Sequence, residues 1–391
     1  MTHYKYLIVG GGMTAAAAAE GIREIDATGS IGLIGSEPDA PYDRPPLTKA
    51  LWKGKSEDTI WRKVRDQQVE LHLGRVAKTI DPREKRVVDD RGNEFRYDKL
   101  LLATGGLPRR LPFGDHQIIY FRTLADYRKL RALAETAQRF AVIGGGFIGS
   151  EIAAALALNG RDVTMLFPGK DIGGRIFPRG LAQFVSEYYR QKGVELLAGE
   201  KVSALETRGK QQVLKTVSGR EIITDAVVAG VGIEPNVELA RAIGLKIEDG
   251  VVVDEHLGTS IPDILAAGDV ASFENPSLGK RLRVEHEDNA NTMGKHAGRN
   301  MAGAHEPYRH LPFFYSDLFD LGYEAVGETD ARLETFEDWK ETNKEGVIYY
   351  LLNGRVRGVL LWNVWGQVDA ARELIAASGP FNSANLKGRL K

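Results

Sequence analysis

Two glycine-rich segments constrain this chain more than anything else in it. The first is Leu7-Ile8-Val9-Gly10-Gly11-Gly12-Met13-Thr14-Ala15. The second is Phe140-Ala141-Val142-Ile143-Gly144-Gly145-Gly146-Phe147-Ile148-Gly149-Ser150-Glu151. Each is a short apolar run with strand character, then G-x-G-x-x-(A/G), then an alanine-rich helix start. The glycines permit the tight turn and let the backbone approach a pyrophosphate, which then sits on the helix N-terminus. One match is weak, but two in strand–turn–helix context point to two dinucleotides on one polypeptide. The economical reading is a flavin on the first (Gly10, Gly12, Ala15) and a nicotinamide nucleotide on the second (Gly144, Gly146, Ile148, Gly149).

The chain has no cysteine. That removes redox disulfides, thiolate nucleophiles, Cys-ligated zinc and iron–sulfur clusters held by the chain itself. Electrons reaching a flavin here must leave it directly. The 52 Lys and Arg against 53 Asp and Glu leave a net charge of −1, which argues against a nucleic-acid binder driven by bulk charge. Lys387, Arg389 and Lys391 in the tail are the only hint of one. No apolar run approaches the ~18 residues of a membrane span. The first strand begins near Tyr4 and leaves no room for a leader, so the expected setting is the cytoplasm. No metal-ligand cluster stands out.

Ile31 to Ile34 reads as the second strand of the first unit, and Glu37 follows it. Glu37 lies about 20 residues beyond Ala15, the spacing of an acid that binds a ribose hydroxyl. The prolines of Pro41-Tyr42-Asp43-Arg44-Pro45-Pro46-Leu47-Thr48-Lys49 are expected to fix an extended, stiff segment that aims Arg44 and Lys49 at a diphosphate and a flavin. A plain surface turn is the alternative. Leu102-Ala103-Thr104-Gly105-Gly106 is a strand exit whose backbone can lie against a cofactor. A second unit opens near residue 116. Its second strand is Asp162 to Phe167, and Val231-Gly232-Ile233-Glu234-Pro235-Asn236 closes it. Ile264-Leu265-Ala266-Ala267-Gly268-Asp269 is a strand ending that places Asp269 at the carboxyl edge of a sheet, where doubly wound folds bind ligands. Residues 286–303 are helical in pattern. Asn353-Gly354 joins strands 346–352 and 356–362 as a hairpin.

These segments together resemble the ferredoxin-reductase-like flavoproteins, over almost the whole chain. The likeness rests on Arg44 to Lys49, Ala103 to Arg109, Gly144 to Glu151, Gly232 to Asn236, Ala267 to Asp269, Val284-Glu285-His286 and Ser316-Asp317. Leu166-Phe167-Pro168, Gly322 to Gly327 and Leu361-Trp362-Asn363 resemble the apoptosis-inducing-factor branch. The resemblance implies an α/β fold of two Rossmann-like dinucleotide-binding domains, the NAD domain inserted in the FAD domain, plus a C-terminal α+β domain. The expected boundaries are 1–115 and 241–310 for FAD, 116–240 for NAD(P)H and 311–391 for the last domain.

The resemblance also implies roles. FAD contacts fall to Gly10, Gly12, Glu37, Arg44, Lys49, Val76, Arg109, Asp269, Glu285 and His286. Tyr315 borders the flavin, where relatives carry Trp. Phe147 resembles a residue that shields the flavin face until nicotinamide enters. Lys49 and Glu151 resemble a lysine–glutamate pair at the flavin edge, the cation stabilising charge on reduced flavin. Glu151 also suits the first turn of a helix electrostatically. Gly232, Glu324 and Asn363 join the NAD(P)H set. NADH-specific members place an acid after the second strand. Here Phe167, Pro168 and Gly169 occupy that turn, with Lys170 and Arg175 beyond. The family points to NADH; the missing acid points to NADPH or weak discrimination.

Two functions compete. One is an FAD-dependent NAD(P)H reductase that feeds a ferredoxin- or rubredoxin-like carrier. Arg109-Arg110, Arg128-Lys129 with Arg131, and Lys280-Arg281 with Arg283 are candidates for its basic docking patch. The other is a redox-sensing flavoprotein with slow turnover, a stable charge-transfer complex and NADH-linked homodimerisation.

Overall fold

Strand Thr2–Val9 runs parallel to Ile31–Gly35 on one side and to Glu94–Leu102 on the other, with Val9 level with Ile34 and Leu102. The structure, a computed structural model describing residues 2–390, is built of two units. Lys391 of the basic tail lies outside the described residues.

The first unit comprises residues 2–44, 56–107 and 234–312. Its seven-stranded sheet has the order Val69–Leu73, Ile31–Gly35, Thr2–Val9, Glu94–Leu102, Arg86–Asp89, Ala77–Asp81, with Ile264–Ala266 added to the carboxyl half of Glu94–Leu102. Ile31–Gly35 is buried at every position, as a strand covered on both faces should be. Val9, Leu102 and Ala266 end level with one another, so the Gly10 turn, Ala103 and Ala267 emerge together at one sheet edge. Helix Met13–Ile25 follows the first turn, and helix Glu287–Met301 packs against it.

The second unit comprises residues 45–55, 108–233 and 313–390. It holds a five-stranded parallel sheet in the order Val194–Ala198, Asp162–Phe167, Arg139–Ile143, Ala226–Ala229, Ile118–Tyr120. It also holds a three-stranded antiparallel sheet over 202–224 and a five-stranded antiparallel sheet over 313–362. The expected hairpin is Glu345–Leu352 and Arg355–Trp362, with Asn353 and Gly354 both at positive φ, as a tight primed turn requires.

The proline segment differs from its expected extended form. Pro45–Leu47 and Ala50–Lys53 are single turns of 3-10 helix, the first closed by Thr48 N–H on the Pro45 carbonyl at 3.3 Å and Lys49 N–H on the Pro46 carbonyl at 3.2 Å, the second by Gly54 N–H on the Leu51 carbonyl at 3.4 Å. A fixed φ near −65° suits a first helical turn, and the N–H groups missing from Pro45 and Pro46 have no partner to make there.

Candidate dinucleotide and flavin-edge sites

The two fingerprints are built alike. Gly10 has φ +137° and Gly144 has φ +118°, and a Cβ on either would strike a backbone oxygen, that of Ala103 at 2.1 Å or of Gly230 at 2.3 Å. Only glycine makes either turn. Gly12 and Gly146 are different. Their φ angles, −97° and −93°, suit any residue. A Cβ on Gly12 would meet nothing nearer than Arg44 at 4.0 Å, and one on Gly146 would meet nothing within 4 Å. The protein alone gives no reason for glycine at these two positions. A pyrophosphate lying on the backbone does, and the residues therefore fit one dinucleotide on each loop.

In the first unit Glu37 is fixed before any ligand arrives. Its carboxylate accepts from the Tyr42 hydroxyl at 2.5 Å and from the Arg44 guanidinium at 2.5 Å. Arg44 also lies 5.2 Å from the centre of the Tyr42 ring. Burial penalises its charge, but Tyr42, Glu37 and Asp269 together more than offset that penalty. Asp269 is in the turn after Ile264–Ala266, at the sheet edge where the sequence put it, and is buried. His286 caps helix Glu287–Met301; burial pushes it down to about 4, against the pull of Asp269 and Asp288. Thr104 Oγ1 and Gly105 O bond the backbone of Asn236 at 2.7 and 2.9 Å, which sets the strand exit in place. Val76 is 39% exposed, and Glu285 is tied to Arg283 at 2.7 Å.

In the second unit Glu151 lies in the first turn of helix Phe147–Leu158, and its carboxylate is crowded with donors. Lys49 Nζ is at 2.7 Å, Ser316 Oγ at 2.6 Å and Thr48 Oγ1 at 2.6 Å. Lys49 Nζ also stands 5.2 Å from the centre of the Tyr315 ring. The Tyr189 and Tyr323 phenols close by are held neutral, by burial first and by the Glu151 charge second. Phe147 meets Phe314 edge-on at 5.1 Å. Glu324 is the cross-strand partner of Tyr315. One of its carboxylate oxygens is buried with no partner, and burial raises its pKa. Arg109 N–H bonds the Gly232 carbonyl at 2.9 Å, bringing together two residues that the sequence assigned to different cofactors. Ile148, Lys170 and Arg175 are exposed.

Some expectations take another form. Asn363 is spent on a turn at positive φ: its side chain accepts from Gly322 N–H and donates to the Lys344 carbonyl, each at 2.7 Å. Of the proposed basic patch, Arg283 is 8% exposed and held by Asp249, Glu285 and the Asp269 carbonyl, and Arg281 bonds the Val253 and Ser272 carbonyls. Both work inside the fold, Arg281 from the short strand Lys280–Leu282 and Arg283 from the residue just beyond it. Thr48, Ser316 and Tyr42 carry no role in the sequence reading. They stand inside motif segments, but spacing alone does not show two hydroxyls converging on one carboxylate.

The pyridine nucleotide-disulphide oxidoreductase family matches residues 4–294. This chain belongs to that family. The mitochondrion-associated C-terminal region of apoptosis-inducing factor matches residues 297–345 and 337–377. The mitochondrial apoptosis-inducing factor 1 of Dictyostelium discoideum is 36% identical over 95% of this chain and 78% of its own length. The ferredoxin reductase subunit of the 5,5'-dehydrodivanillate O-demethylase of a Sphingobium species is 36% identical over 91% of this chain and 89% of its own. A covalent putidaredoxin reductase–putidaredoxin complex superposes with TM-score 0.91 and 29% identity over 99% of this chain and 96% of the other. The chain is an FAD-dependent NAD(P)H oxidoreductase with a ferredoxin-reductase-type α/β fold. The disulphide in the family's description has no counterpart here, since the chain has no cysteine. No helix among the described residues is long and apolar enough to cross a membrane.

Proposed function

We propose that the chain takes hydride from a nicotinamide nucleotide on the Gly144–Gly149 loop to FAD on the Gly10–Ala15 loop, and passes the electrons to a ferredoxin- or rubredoxin-like iron–sulfur carrier. Bound FAD supplies the conversion of a two-electron donor into one-electron transfers. Lys49 holds a positive charge where negative charge develops, and Glu151 fixes the ammonium. Thr48 and Ser316 in turn fix the carboxylate. Phe147, which meets Phe314 edge-on, would cover the reacting face of bound flavin until nicotinamide enters. Glu37, Arg44, Asp269 and His286 would hold FAD without a covalent link, the acid suiting a ribose hydroxyl and the guanidinium a diphosphate. The domains proposed are 1–115 with 241–310 for FAD, 116–240 for the nucleotide and 311–391 as an interface. NADH is the donor that the relatives' names favour. A reductase of this kind works where reduced nucleotide is kept, and the cytoplasm is the setting proposed.

The observation that carries this reading is the pair of phosphate cradles in a chain without cysteine. Two dinucleotides and no disulfide leave direct transfer from flavin to an outside acceptor. The match of residues 297–377 to apoptosis-inducing factor favours a second reading, a slow redox sensor that dimerises on reduction. Anaerobic reduction of the yellow protein with NADH, followed by addition of a ferredoxin, separates the two. Fast reoxidation by ferredoxin supports the reductase. A long-lived reduced protein that sediments as a dimer supports the sensor. A flavin that neither NADH nor NADPH reduces overturns both.

A further inference from the structure

The two dinucleotide units can be aligned by their own backbone bonds. In the first unit Val9 pairs with Ile34, and Gly10 N–H donates to the Ile34 carbonyl at 2.9 Å. In the second, Ile143 pairs with Leu166, and Gly144 N–H donates to the Leu166 carbonyl at 2.9 Å. Gly35 pairs with Leu73 as Phe167 pairs with Ala198. The glycine after each third strand closes the match: Gly74 N–H donates to the Glu37 carbonyl and Gly199 N–H to the Gly169 carbonyl, both at 2.9 Å. Two backbone bonds and the strand register between them therefore put Gly169 where the first unit has Glu37. Asp171, the nearest acid, falls at the place of Asp39 instead.

The consequence is electrostatic. In the first unit the ribose position carries a carboxylate, and Arg44 is neutralised by it at 2.5 Å. In the second unit that position has no side chain. A Cβ on Gly169 would meet only the Asp171 carbonyl at 3.7 Å and the Phe167 ring at 3.8 Å, so the room exists and stays empty of protein. Lys170 follows it directly in the chain and Arg175 comes after the next turn, both exposed and neither in an ion pair among the described residues. An acid here would bind a 2′-hydroxyl and repel a 2′-phosphate; free cations do the reverse. Arginine and lysine are the residues that take phosphate.

We propose that the nucleotide site of the second unit accepts a 2′-phosphorylated adenosine ribose on Lys170 and Arg175, so that NADPH is a donor alongside NADH. This rests on the reading of the Gly144–Gly149 loop as the nicotinamide nucleotide site. The test is direct binding to the FAD-loaded protein by calorimetry, with adenosine 5′-monophosphate and adenosine 2′,5′-bisphosphate as probes that differ only in the 2′-phosphate. The bisphosphate should bind more tightly than the monophosphate, with a steeper loss in salt. Lys170→Ala with Arg175→Ala, and separately Gly169→Glu, should each weaken the bisphosphate about tenfold or more relative to the monophosphate. A bisphosphate that binds no better than the monophosphate, or an affinity ratio unmoved by both sets of substitutions, overturns the inference. If neither probe binds and neither nucleotide reduces the flavin, the reading of the loop itself fails instead.

Discussion

The Lys49 ammonium lies 2.7 Å from the Glu151 carboxylate, with 12% and 4% of the two side chains exposed. A pair so placed is held by geometry. Glu151 also accepts from Thr48 and Ser316, so its oxygens are satisfied and the ammonium cannot wander. Such a pair adds little net stability over apolar residues, but loss of one partner strands the other.

Lys49→Ala and Glu151→Ala should therefore each slow flavin reduction by NADH without abolishing FAD binding. The loss of one contact to developing charge is worth about 2–4 kcal/mol, or roughly 30- to 1,000-fold in rate. Glu151→Ala should also lower thermal stability more than Lys49→Ala, because it leaves a buried ammonium and two hydroxyls without their acceptor. Stopped-flow reduction at wild-type speed in both variants would contradict the assignment.

The glycines give a prediction that separates folding from ligand binding. Gly12→Ala and Gly146→Ala place a methyl in open space at ordinary φ, so both proteins should fold with stability within about 1 kcal/mol of wild type. The first should lose affinity for FAD and the second for the nucleotide. Gly10→Ala and Gly144→Ala meet backbone oxygen and should yield little folded protein. Flavin content after purification and nucleotide titration read the four outcomes. A Gly12→Ala protein with undiminished FAD affinity would show that no phosphate lies on that loop.

The residues that act through backbone were legible in the sequence, and those that act through long-range side-chain contacts were not. The Gly10 and Gly144 turns, the sheet-edge place of Asp269 and the Asn353-Gly354 hairpin follow from local rules of φ, strand length and register. Pairing of Lys49 with Glu151 came from resemblance, and their hydroxyl partners from nothing local. Arg283 and Asn363 went the other way. Arg283 stands in the candidate docking patch and Asn363 in a motif segment, and each is consumed by the fold, because charge and amide groups just past strand ends satisfy nearby polar groups first.

Arg283 offers a check on that distinction. Were it a docking residue, Arg283→Ala would weaken carrier reduction and leave stability alone. Tied to Asp249 and Glu285 at 8% exposure, it should instead cost about 1–3 kcal/mol of stability, with the carrier's apparent KM unchanged. Denaturant unfolding together with ferredoxin-dependent turnover measures both.

His286 sets a pH dependence. Its folded value is near 4 because burial disfavours the imidazolium, and its ordinary value is 6.5. The unfolded chain therefore binds a proton that the folded chain refuses. Stability from this group is complete above about 6.5 and is lost as pH falls towards 4, by up to roughly 3 kcal/mol. Thermal midpoints from pH 7.5 to 4.5 should fall more steeply for wild type than for His286→Gln. Parallel curves would show that the imidazole is already hydrated in the fold.

Glu324 joins stability to function in one carboxyl group. One oxygen is buried without a partner, and burial holds the pKa above the usual carboxylate range. A carboxyl raised in this way lends stability below its unfolded value and loses it as pH rises through the folded one. At neutral pH the charged form is thus a strain on the fold, on the same face of the sheet as Tyr315. Glu324→Gln keeps the shape and removes the charge. It should raise the thermal midpoint at pH 7 to 8 and have little effect near pH 4, where both side chains are neutral. If Glu324 meets the nicotinamide nucleotide, the same substitution should weaken nucleotide binding while FAD stays bound, the usual exchange at a site that tolerates strain for use. Midpoints across pH and nucleotide titration of the FAD-loaded variant test the two halves separately. A variant more stable at pH 7 with unchanged nucleotide affinity would leave the strain in place and remove Glu324 from the nucleotide site.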